Sequence, residues 1–122
     1  MATLTAQIKA SISGITSDAI DIDKSMTFTA LSGGITSRSI NQNSAAGEKI
    51  LEKDEYVLGD VVYLRNRDTS IVITIQLSAA TAGEITLAGG AWCMFPWVKG
   101  EDILAYSASG APVLEIGVFS ST

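Results

Sequence analysis

Between Thr3 and Ser13 the even positions Leu4, Ala6, Ile8, Ala10 and Ile12 are apolar, while Thr3, Thr5, Gln7, Lys9 and Ser11 are polar. A period of two belongs to an extended strand, because a helix would scatter these side chains around its axis. The segment is expected to be a strand or an extended arm lying on an apolar surface, stopped by Gly14. A second alternation runs through Met26, Phe28 and Ala30, with Thr27 and Thr29 on the other side, and the Ser32-Gly33-Gly34 cluster is expected to end it in a turn. Gly-Ile-Thr-Ser occurs at 14–17 and again at 34–37. Two copies are too few for a solenoid, so they read as two similar turn-to-strand entries.

Residues 41–47 are polar and small, which predicts a surface loop. The stretch from Ala45 to Glu55 supports two readings. Glu48 with Glu52 and Lys49 with Lys53 have helical i,i+4 spacing, whereas Gly47 and the isolated Ile50-Leu51 pair favour a short strand and a turn at Lys53-Asp54.

From Tyr56 onward short strands follow one another. Tyr56 to Leu64 places Val57, Val61 and Tyr63 on one face and Leu58, Val62 and Leu64 on the other, with Gly59-Asp60 as a bulge position. Both faces are apolar. Arg65-Asn66-Arg67-Asp68 reads as a solvated hairpin turn. Ile71, Ile73, Ile75 and Leu77 then alternate with Val72, Thr74, Gln76 and Ser78 in a β-branched strand. Glu84 to Ala88 is a short strand, and Trp92 to Val98 is an edge or bent strand because Pro96 has no N–H for a central ladder. Glu101 to Ser107 and the final Leu114, Ile116, Val118 alternation complete the series. Strands every eight to twelve residues between glycine-rich turns predict an all-β fold: a small single-domain antiparallel β-sandwich or jelly roll, residues 14–122, preceded by an extended N-terminal strand or arm, residues 1–13.

A chain of 122 residues fits one domain and buries roughly two thirds of its unfolded surface. With 47% hydrophobic and only 17% charged residues, some surface is expected to be covered by a partner. A net charge of −5 with scattered cations argues against nucleic acid or an anionic membrane as that partner. No apolar run approaches a membrane span and no signal-like segment opens the chain, so synthesis in the cytoplasm is expected. Cys93 is the single cysteine, so no intramolecular disulfide is available.

The chain contains no histidine. The usual base for a serine or cysteine nucleophile is therefore missing, and one cysteine does not supply a zinc ligand set. Cys93 reads as a small buried apolar residue. Asp18, Asp21 and Asp23, and Glu52, Asp54 and Glu55, lie close in sequence, but neither run matches a calcium loop, and solvated acidic turns are expected. No catalytic, cofactor or metal residues are expected, and the protein is not expected to be an enzyme. The aromatic group Trp92, Phe95 and Trp97 reads first as core, then as a protein interface, then as a sugar-stacking platform.

The opening Met1-Ala2-Thr3-Leu4-Thr5-Ala6 and the closing stretch from Asp102 to Phe119, with Trp97, Gly100, Asp102 and Leu114-Glu115-Ile116 in order, resemble small structural proteins of tailed-phage virions. The likeness covers the chain ends and leaves residues 14–55 largely unmatched. It implies a capsid cement or decoration protein: a small β-domain, commonly a homotrimer, that sits on the outside of the phage head and clamps neighbouring major capsid subunits. Localisation on the virion surface follows from it. The interface residues expected on this reading are Leu4, Ile8 and Ile12 of the arm and Val57, Val61, Tyr63, Trp92 and Trp97 of the sandwich. A tail, baseplate or fibre component is the alternative within the virion, and a sugar-binding β-sandwich the alternative outside it.

Overall fold

The computed structural model describes residues 2–12, 20–30, 32–55, 60–77, 84–97 and 101–120. Ten strands account for most of them: β1 (Ala2–Ile12), β2 (Ile20–Ala30), β3 (Ser32–Ser39), β4 (Glu48–Leu51), β5 (Asp60–Asn66), β6 (Ile73–Gln76), β7 (Glu84–Leu87), β8 (Trp92–Trp97), β9 (Ile103–Ser107) and β10 (Val113–Ser120). A single 3-10 turn over Lys53–Glu55 follows β4, so of the two readings of this stretch the short strand and turn is the one formed.

Eight strands build two antiparallel four-stranded sheets, a front sheet in the order β3-β10-β5-β8 and a back sheet in the order β4-β9-β6-β7. From β3 to β10 only the β6–β7 connection stays within a sheet; every other connection crosses from one to the other. That order is the jelly roll, a double Greek key. Pro96 stands on β8, which pairs with β5 and forms the outer edge of the front sheet, the place a residue without an N–H can occupy.

The core lies between the sheets. Val62, Leu64, Leu114, Ile116, Val118 and Trp97 of the front sheet meet Ile50, Leu51, Ile73, Ile75, Leu87, Ile103 and Ala105 of the back sheet. Except for the adjacent Ile50-Leu51 pair, where the β4–β9 register shifts, these are the same-parity positions of each alternating run, so period two places one set of side chains inside. Cys93 and Phe95 pack against this cluster from β8.

Three local expectations are corrected. Ser32-Gly33-Gly34 is not a turn but the start of β3, where Gly33 and Gly34 stand opposite Phe119 and Val118. Asp21 and Asp23 do not lie in an acidic turn; they sit in β2, opposite Ser11 and Lys9 of β1, where the polar sides of two alternating strands meet. Asp18 lies outside the described residues. Arg65-Asn66-Arg67-Asp68 is not a solvated hairpin turn, because β5 and β6 belong to different sheets. Asn66 is fully buried at the corner between them. Its Nδ2 donates to the carbonyls of Ile71 (2.7 Å) and Leu87 (3.0 Å), and its Oδ1 accepts from the Asp68 N–H (3.0 Å). A buried amide must satisfy both ends, and here it does so by tying the two sheets together.

β1 and β2 form a separate two-stranded sheet of eleven facing pairs, from Ala2 opposite Ala30 to Ile12 opposite Ile20. The expected extended N-terminal strand is β1, and its ladder partner is β2.

Candidate interaction surface

Each sheet has a second face, directed away from the core, and the two differ. On the front sheet, register aligns Ile35, Gly117, Tyr63 and Met94 in one row across all four strands. The next row is Gly33, Phe119, Val61 and Pro96, and on the other side lies Ser37, Glu115, Arg65 and Trp92. Two of these three rows carry no charge. Ile35 is 58% exposed and Trp92 55%. Large apolar side chains this open, gathered on one face, are characteristic of surfaces that meet a partner.

Val61 is only 4% exposed although it lies outside the cluster that fills the sandwich. Its flanking neighbours are Phe119 and Pro96, so the outer face carries a small apolar layer of its own. Gly117 makes that layer possible. A Cβ at this position would stand 3.1 Å from the Phe119 ring and 3.3 Å from Tyr63 Cβ, so the absence of a side chain lets both rings close over β10. The Tyr63 and Trp92 rings lie 6.4 Å apart at a 40° tilt.

A polar rim borders this layer. The Tyr63 hydroxyl donates to Glu115 Oε1 (3.0 Å), and Arg67 Nη1 donates to Glu115 Oε2 (3.0 Å). Partial burial, and then the neighbouring Glu115 carboxylate, raise the Tyr63 pKa above the ordinary phenol value, so the hydroxyl stays a donor.

The back sheet presents Lys49, Leu104, Gln76 and Glu84 in one outer row and Tyr106, Thr74 and Thr86 in the next. Its one large aliphatic residue, Leu104, is buried by the chain itself. The loop before β4 folds over it: Gly47, at φ 63°, approaches Leu104, and Gln76 Nε2 donates to the Ala45 carbonyl at 2.8 Å. The left-handed backbone at position 47 favours glycine, and that conformation brings the loop down on the sheet.

Of the expected interface residues, Val61, Tyr63 and Trp92 come together on the front face. Trp97 does not join them. It is 6% exposed, belongs to the core and donates its indole N–H to the Glu101 carbonyl at 3.2 Å. Trp92 and Trp97 are five residues apart on one strand, and an odd separation sends two side chains to opposite faces. Leu4, Ile8 and Ile12 lie on β1 opposite Phe28, Lys24 and Ile20. Val57 lies outside the described residues. The face also includes Ile35, Met94 and Phe119, which sequence reasoning did not select. For Phe119 a signal existed: an aromatic on the strand side otherwise held by Glu115 and Gly117.

Several described carboxylates serve the fold. Glu48 accepts from Arg38 Nη2 (2.6 Å) and the Asn41 N–H (2.7 Å), joining edge strands β3 and β4. Asp102 accepts from the Lys53 N–H (2.9 Å), which with Lys49 beside it lowers its pKa. Among the described residues no three potential metal ligands of the His, Cys, Asp or Glu type cluster, and no helix is long and apolar enough to cross a membrane.

No protein-family model matches the chain, and no curated protein or solved structure is significantly similar to it.

Proposed function

We propose that this protein acts by binding rather than by catalysis, as a decoration protein of a tailed-phage virion that seats on the outside of the head and bridges neighbouring major capsid subunits. The observation that carries the reading is the front face: a layer of apolar side chains outside the sandwich core, with Ile35 and Trp92 open to solvent. A jelly roll hosts many functions and assigns none by itself. The virion context rests on the resemblance of the chain ends to phage structural proteins.

The physical logic is one of shared burial. Apolar surface contributes about 25 cal/mol per Å² removed from water, and a tryptophan in a closed interface is a frequent anchor. Full-length protein mixed with empty heads of its own virion should co-sediment and saturate at a fixed ratio to the major capsid protein, and Trp92→Ala should lower the occupancy. Absence of co-sedimentation at saturating protein would overturn the reading, and binding to isolated tails instead would move the protein to the tail.

A further inference from the structure

We infer that the β1–β2 ribbon of one copy packs on the front face of a second copy, so that the protein assembles by exchanging arms. This goes beyond the assembly reading above and rests on it: sister chains close the front face between them, and the oligomer so formed is what seats on the head.

The ribbon is amphipathic by register. Leu4 stands opposite Phe28, Ala6 opposite Met26, Ala10 opposite Ile22 and Ile12 opposite Ile20, and facing residues of an antiparallel pair share a side. The other side pairs Thr3 with Thr29, Thr5 with Thr27, Gln7 with Ser25 and Lys9 with Asp23. Thr5, Gln7, Lys9 and Ser25 are exposed, so that side is the solvent side. A two-stranded hairpin alone is marginal in water and needs its apolar side covered.

The chain's own front sheet cannot provide that cover. One residue separates the end of β2 at Ala30 from the start of β3 at Ser32. Two residue steps span at most about 7 Å, whereas stacked sheets lie about 10 Å apart face to face. A ribbon leaving β3 on so short a tether cannot step up a layer and return across the sheet it leaves. A second copy has no such restriction and carries the same unfilled face. At eleven residues per strand the ribbon is about 37 Å long, enough to run the whole length of β10 in aligned sheet-on-sheet packing.

The test uses full-length protein with benzoylphenylalanine at position 35, mixed as isotopically heavy and light chains before irradiation. Adducts joining position 35 of one chain to residues 2–30 of the other are expected. Adducts confined to single chains, or falling outside 2–30, would overturn the proposal. Light scattering gives a second reading. Ile35→Glu combined with Trp92→Glu should reduce the molar mass to the 12.8 kDa monomer, while Thr74→Glu on the back sheet should leave the oligomer intact. An unchanged mass for the front-face variant, or a monomeric parent protein, would refute arm exchange. Head co-sedimentation separates the two readings: exchange without head binding removes the virion role alone, and head binding without exchange removes this inference alone.

Discussion

The two outer faces of the sandwich start from the same problem and solve it differently. Both sheets carry apolar side chains away from the core, Val61 and Phe119 in front and Leu104 behind. Behind, the loop through Gly47 closes over Leu104, and the rest of the face is Tyr106, threonine, glutamine and charge. In front, Val61 is buried outside the core while Ile35 and Trp92 remain open. The contrast shows that an uncovered apolar face is not a by-product of the jelly roll here: the same fold seals its other side with its own chain.

Substitutions at four levels would break or sharpen that contrast. The inner faces should be equivalent. Leu114→Ala in the front sheet and Ile73→Ala in the back sheet both empty fully buried sites, and each is expected to cost about 2–5 kcal/mol in urea unfolding. A much smaller loss from one sheet would mean that the core is not shared evenly. At the corner between the sheets, Asn66→Ala leaves the part-buried Ile71 carbonyl and the buried Leu87 carbonyl without their donor and should cost about 1–3 kcal/mol.

On the outer faces the difference itself should appear. Val61→Ala removes buried methyl groups and should cost about 1.5 kcal/mol, whereas exposed Thr86→Ala should change unfolding by less than about 0.5 kcal/mol. Equal effects would abolish the distinction between a layered front and a simple back.

The smallest effect concerns acid. Asp68 accepts from the backbone N–H groups of Ile71 (2.7 Å) and Ser70 (2.8 Å), and these bonds lower its pKa. A carboxyl depressed in the folded state stabilises above its unfolded pKa and loses that contribution as pH falls through the folded value. Asp68→Asn should therefore flatten the acid side of a melting-temperature profile below about pH 4. An unaltered profile would show that the two bonds do not depend on the charge.

Sequence patterning reached the sandwich because its core strands alternate cleanly. Val62 and Leu64, Ile73 and Ile75, and Leu114, Ile116 and Val118 each announce an inner face, and Pro96 marks an edge. It failed where tertiary context overrides local preference. Gly33-Gly34 has the chemistry of a turn but pairs along β10, and Asp21 and Asp23 have the chemistry of a loop but occupy the polar side of an alternating strand. Asn66 looked like a turn residue because nothing local reveals that β5 and β6 belong to different sheets. The front face was half visible: the two-sided β5 foretold Val61 and Tyr63, but Ile35 comes from a weakly patterned strand recognisable only through its pairing with β10.

Cys93 packs from the edge strand against the core, and its burial raises the thiol pKa. Reactivity toward oxidants and alkylating agents belongs to the thiolate, which this environment disfavours. With no second cysteine to bridge within the chain, folding makes no demand on redox state, and the same molecule can form in a reducing interior and persist in an aerobic medium without a change in covalent structure.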